Sequence, residues 1–380
     1  MSKSLAEVVR VLERLAPTRF AEDWDNVGLL VEPTDARPVT QVLFTIDLTE
    51  PVFAEALSLG AELIVAYHPP IFRGLKRLTQ RTPIERVVTQ ALAENIAIYS
   101  PHTALDAAPG GVNDWLCDVL GAGEQRPIQQ TLELDPEQAL KLVTFIPTQH
   151  AEGLRLALGR AGAGHIGNYF ECAFSSPGHG SFRPAEGANP YIGTLGETET
   201  VEELRVEMVC ARKHLAVVSE ALRQAHPYEE PAWEVYALEP RPRPGSGMGR
   251  LHELSKPATL AELVNRVKVG LGLEHIRVAA SAAHRAGQPI SRAAVCAGAG
   301  GSLFEKLSSG SHGGPELFFT GEMRHHDVLA RVASGSSVIL CDHTNTERGY
   351  LPHLAQRVRE TLPDLELVVS QRDRDPLEVV

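Results

Sequence analysis

Four short apolar runs in this chain, LIVAY, IAIYS, ELFFT and SSVILC, each break off into a cluster of histidines and carboxylates. Runs of four to eight apolar residues bounded by turn formers have the length of strands buried on both faces, not of helices. The surrounding sequence supplies matching helices. Residues 42–49 read as a strand, 51–58 as a helix and 63–67 as a strand. Thr82 and Pro83 then stand at the N-cap and first turn of a further helix, 96–100 reads as a buried strand, and 111–120 as a helix. This strand and helix alternation predicts a layered α/β sheet.

The same style resumes after the proline- and glycine-rich stretch RPRPGSGMG at 241–249, with Thr259 and Glu262 forming a capping box and strands expected near 276–282, 293–297, 316–320 and 336–342. Between the two sections lie ALKLVTFIP, AEGLRLAL, NYFECAFSS, an irregular glycine- and proline-rich loop, VEELRVEMVC, VVSEALRQA and AWEVYAL. That order is the split βαβ of a ferredoxin-like α+β unit. The expected organisation is one α/β domain built of two similar halves, 1–130 and 244–380, interrupted by an insert at 131–243; three consecutive domains are the alternative.

Composition narrows the function. A net charge of −12 with no basic run disfavours nucleic acid and anionic lipid as partners. No apolar stretch approaches the roughly 20 residues that cross a bilayer. The N-terminal segment, with Leu5, Val8, Val9, Leu12 and Leu15 at helical spacing behind a Ser4 and Glu7 capping box, reads as a folded helix and not a signal peptide. Five dispersed cysteines without a C-x-x-C pair fit a reducing compartment, so the expected location is cytoplasmic.

In a parallel or mixed sheet the carboxyl ends of the strands share one edge, so residues distant in sequence meet there. The four runs lead into His68; into His102 and Asp106; into Glu322, His325, His326 and Asp327; and into Asp342, His343 and Glu347. His343 and Glu347 are four apart at the start of an expected helix, so both can face one point. Imidazole with carboxylate suits zinc, iron or manganese, whereas calcium and magnesium favour oxygen donors. A carboxylate such as Glu347 can bridge two ions. Asp106 and Asp342 equally suit turns or helix caps. His326 can act as acid or base or simply open its helix. GAGGS at 298–302 either cradles an anion or forms a tight turn. Asp25, Asn26 and Asp47 sit where they line a pocket or hydrogen-bond a turn, and His165, His179 and His226 are placed in loops.

The runs EDWDNVGLL, YHPPIF, SPHTALDAAPGGVNDWL, TGEMRHHD and LCDHTNTERGYL resemble the NIF-three-like family, homologues of GTP cyclohydrolase one type two. The middle section, with GNYFECAFSSPGHGSFRP and AHPYEEPAWEVY, resembles the PII/CutA-like insert of the longer bacterial members. The resemblance implies a homohexamer with one or two divalent ions per subunit, on His68, Asp106, His343 and Glu347, Glu347 bridging. Tyr67 stands where many members carry a histidine. Three functions follow: a metal-dependent hydrolase of a small, nucleotide-like substrate in which His326 or His102 moves protons, a non-catalytic regulatory or metal-trafficking protein, or a scaffold for protein partners.

Overall fold

The computed structural model describes residues 2–308 and 313–378. Its contacts divide the chain into two units, Leu132–Pro242 and the remainder on either side of it.

The larger unit holds two sheets of related design. In the first, strands run in the order Gly28–Val31, Ala97–Ser100, Leu63–Ala66, Gln41–Thr45 and Glu366–Val369. All neighbours are parallel except Gly28–Val31, which is antiparallel at one edge. The second runs Arg277–Ala279, Ser337–Leu340, Leu317–Thr320, Ile290–Cys296, Arg241–Ala258 and Gly123–Glu133. Here again three parallel strands in succession carry an antiparallel edge strand that precedes them in the chain. Both sets therefore repeat one pattern.

The central strands Leu63–Ala66 and Leu317–Thr320 are buried at every position, as expected for strands covered on both faces. Alternation decides which core each residue joins. Val42 and Phe44 join Phe319 and Ile339 in one core, together with the helices Leu5–Leu15, Val112–Leu120, Leu260–Leu271 and Leu351–Thr361. Leu43 and Ile64 face the opposite way, onto Glu50–Leu59 and Pro83–Ala93. Each such side chain, fully withdrawn from water, contributes about 1.5–3 kcal/mol.

Two buried polar residues tie the halves together. Asn113 accepts from Ala297 N–H at 2.8 Å and donates to the Asp106 carbonyl at 3.0 Å. Arg250, 1% exposed, is paired with Asp114 and donates to the carbonyls of Gly247, Gly249 and Ala108, so no part of its guanidinium charge is stranded.

The capping boxes at Ser4 and Thr259 form as expected. Other expectations are corrected. The strand read over 42–49 ends at Thr45, because Thr49 caps the next helix. RPRPGSGMG, which separates the two sections in the sequence, is itself the start of the long strand Arg241–Ala258, flanked in the sheet by Ile290–Cys296, paired from Arg250 against Val295, and by Gly123–Glu133. Of the strand expected near 276–282, the last residue opens the short helix Ala282–Arg285.

In the smaller unit, Leu140–Pro147, Ala151–Arg160, Phe174–Phe182, Glu199–Cys210, Leu215–Ala225 and Trp233–Ala237 follow one another as βαββαβ. The antiparallel sheet has the order Phe174–Phe182, Glu199–Cys210, Leu140–Pro147, Trp233–Ala237, the ferredoxin-like arrangement. Its second strand is displaced from NYFECAFSS into FSSPGHGSF, so His179 lies on a strand and not in a loop. A proline and two glycines are tolerated there because it is an edge strand, paired on one side only. No helix among the described residues is long and apolar enough to cross a membrane.

Candidate metal centre

The strand ends of both sheets deliver their polar residues to one place. His68 follows Leu63–Ala66, His343 follows Ser337–Leu340, and Glu347 lies four residues on; donor atoms of the three lie within 4.8 Å of one another. The segment joining His343 to Glu347 is a 3₁₀ turn, Thr344–Thr346, with a second, Arg348–Tyr350, directly after Glu347, and not the expected helix start. Their tighter winding still brings the Glu347 carboxylate back toward His343, with Oε1 3.4 Å from His343 Nε2 and Oε2 3.3 Å from His68 Nε2.

Each imidazole is oriented from behind. His68 Nδ1 lies 2.9 Å from Asp47 Oδ1, and His343 Nδ1 lies 3.2 Å from Glu322 Oε2. A carboxylate only accepts, so both rings carry their proton on Nδ1 and turn Nε2 inward, as metal-binding histidines do. A third ring joins them. His102 Nδ1 lies 2.8 Å from Asp25 Oδ1, and its ring centroid is 5.3 Å from that of His68. The backbone at His102 has φ 27° and at Asp342 φ 64°, left-handed values that a histidine adopts only at a cost of the order of 1–2 kcal/mol. Strain of this kind collects where a side chain must be aimed.

The electrostatics describe a hole for positive charge. Burial opposes protonation of His68, yet the carboxylates of Asp47 and Glu347 prevail and raise its pKa from 6.5 to about 10. Burial also works against charge on Asp25, where hydrogen bonds from His102 and Thr103 win and hold the carboxyl below its usual range. Asp106 goes the other way: burial is the largest influence and pushes it up to about 6, with Glu347 adding to the rise. The Tyr67 hydroxyl donates to Asp106 Oδ1, and burial, then the charge of Asp106, drives the phenol well above its ordinary pKa. Tyr67 is thus a hydrogen-bond donor at the histidine-like position, while Asp106 Oδ2 keeps its lone pairs.

Glu347 Oε2 is buried with no hydrogen-bond partner among the described residues. An anionic oxygen left so, 3.3 Å from the His68 Nε2, fits a divalent cation. Gly298 keeps the space open. A Cβ there would meet Glu347 Oε1 at 2.8 Å and His343 Nε2 at 2.9 Å, and the backbone is left-handed at φ 60°. In the GAGGS loop two amides are engaged: Gly298 N–H donates to Thr346 Oγ1 at 2.8 Å and Gly300 N–H to Thr320 Oγ1 at 2.9 Å.

Of the residues singled out in the sequence, His68, His343 and Glu347 come together, with Asp106 and His102 beside them. His326 lies exposed on the helix His325–Ala333, its ring against His325 at 5.5 Å. The orienting roles of Asp25 and Asp47 were not separable from turn bonding in the sequence; the legible signal was a lone Asp beside each apolar run.

The chain resembles known proteins over its whole length. A family model described as Duf34/NIF3 (NGG1p interacting factor 3) matches residues 3–376. NIF3-like protein 1 of Rattus norvegicus is 37% identical over 384 residues, covering 100% of this chain and 94% of that protein. The GTP cyclohydrolase 1 type 2 homolog of Bacillus subtilis (strain 168) is 34% identical over 381 residues, covering 99% of each. Among solved structures, a Bacillus cereus protein related to NIF3 superposes with a TM-score of 0.70 at 31% identity, covering 100% of both chains.

Proposed function

The chain belongs to the Duf34/NIF3 family, and from that premise we propose that it is a metal-dependent hydrolase of a small, nucleotide-like substrate. The observation that carries the proposal is the unpartnered, buried Glu347 oxygen facing the Nε2 atoms of His68 and His343. His68, His343 and Glu347, with Asp106 beside them, would hold one or two divalent ions per subunit, zinc, iron or manganese being those that imidazole with carboxylate favours. When bound, such an ion polarises a water and a substrate carbonyl or phosphoryl oxygen.

The chain's own groups do the rest. Asp47 and Glu322 hold their imidazoles in the tautomer that leaves Nε2 free. His102, locked by Asp25 and with its side chain 14% exposed, is the imidazole placed to take or return a proton at the reacting centre; His326 lies outside this group. The Tyr67 hydroxyl keeps Asp106 oriented. Gly298 leaves room beside the carboxylate. The homohexamer implied by the resemblance belongs to the same proposal and is read by light scattering of the purified protein.

Metal content and turnover test it together. Wild-type protein loaded with zinc, iron or manganese is expected to hydrolyse at least one member of a panel of nucleotides and cyclic amides, and to stop with a chelator. Glu347→Gln should lose more metal affinity than the about 10–100-fold that removing an outer carboxylate costs, and all turnover with it. Full metal content in that variant overturns the site. Tight metal without turnover anywhere in the panel favours the regulatory or trafficking reading instead.

A further inference from the structure

The smaller unit carries a half-open cavity of about 620 Å³, within the size range of small-molecule sites. It lies on the side of the sheet opposite the helices. Along Glu199–Cys210, Val206, Met208 and Cys210 pack into the core, so Glu203 and Arg205 face the other way. Phe145, Phe182, Tyr191 and Tyr228 also line the cavity. The rings are neighbours, with Phe182 and Tyr191 centroids 5.9 Å and 6.3 Å from that of Tyr228.

Glu203 is 8% exposed. Its Oε1 accepts the Tyr228 hydroxyl at 2.7 Å, and no other donor reaches the carboxylate among the described residues. Oε2 rests against the bare backbone of Gly180, where a Cβ would stand only 2.2 Å away, so that glycine makes room for the carboxylate. Glu229 and Glu230 add negative charge to the lining. The opposing charge is Arg205, already engaged: its Nε donates to Glu207 at 2.9 Å and its guanidinium lies 5.8 Å over the Phe145 ring.

A nearly buried carboxylate with spare acceptor capacity costs free energy unless a positive group meets it. Aromatic faces around it favour an organic cation, since a ring quadrupole attracts ammonium and guanidinium groups and their apolar bodies alike. A hard inorganic cation takes about six to eight oxygens converging on one point, whereas here aromatic rings share the lining with the three carboxylates. We infer that the insert carries a second ligand site, in which Glu203 and the Tyr191, Tyr228 and Phe182 rings bind a small organic cation. The site is independent of the metal centre and of the hydrolase reading.

Calorimetric titration of the full chain with choline and agmatine, and with 3,3-dimethylbutanol as the neutral isostere of choline, tests the inference. At least one of the cations should bind, and if it is choline it should bind about tenfold or more tightly than the alcohol. Glu203→Gln should abolish that binding while metal content at the other site and the far-UV spectrum stay unchanged. Arg205→Gln, which removes the competing positive charge, should tighten it severalfold; an anion-binding site would respond with the opposite sign. The inference is overturned if neither cation binds below about 10 mM, if the neutral alcohol binds as well as choline, if Glu203→Gln binds as wild type does, or if calcium alone takes the site.

Discussion

His68 and His343 reach the same carboxylate from equivalent edges of two similarly ordered sheets, yet they are held differently. The His68 side chain is 23% exposed and stands 2.9 Å from Asp47; that of His343 is 38% exposed and stands 3.2 Å from Glu322, whose own side chain is 49% exposed. The first half also contributes the His102 and Asp25 pair, with the Asp25 carboxylate fully enclosed. A hydrogen bond shielded from water holds its geometry more firmly than one that water competes for. The first half is thus the rigid side of the centre and the second half its open side.

The largest test of that contrast is Asp47→Asn. It takes the charged partner from His68 and should cost about 10–100-fold in metal affinity, measured by competition with a chromogenic chelator; a loss below threefold breaks the claim that the first half is the rigid one. Gly298→Ala strikes the open side from within. The new methyl must displace Glu347 or His343 and adopt a left-handed backbone, an expected loss of about 1–2 kcal/mol in urea unfolding together with weakened metal binding. Unchanged stability there would mean the loop yields freely.

A pH titration sharpens the contrast further. His68 is raised from 6.5 to about 10 in the metal-free protein, burial opposing and the two carboxylates prevailing. A group raised in this way stabilises the fold fully below 6.5, and its contribution is gone above about 10. Metal-free protein should therefore lose stability as pH climbs from neutrality toward 10, and Asp47→Asn should flatten that slope; equal slopes refute the assignment. The smallest effect is expected for Glu322→Gln, at most about threefold in metal affinity, because its exposed bond is already screened.

Much of the fold was legible because local patterns and tertiary demands coincide. Fully apolar runs such as LIVA and LFFT must lie between two covered faces, and Ser4 with Glu7 closes a helix end using atoms only three residues apart. Legibility failed where neighbours outside the segment decide. FSSPGHGSF looks like a loop, and it is a strand because Glu199–Cys210 offers it a ladder. RPRPGSGMG has the prolines and glycines of a break between sections, and it begins a strand because Gly123–Glu133 and Ile290–Cys296 flank that strand in the sheet.

The sequence by itself determined the donor chemistry: imidazoles and carboxylates at strand ends, and two α/β sections around a βαββαβ insert. Only the tertiary structure decided that Asp47, Asp25 and Glu322 each stand behind a ring, that Tyr67 bonds Asp106, and that Glu347 is left unpartnered between His68 and His343. A residue type states which bonds a side chain is able to make. Which of them it makes depends on atoms brought within about 3 Å by strand pairing and core packing, and those partners lie tens to hundreds of positions away in the chain.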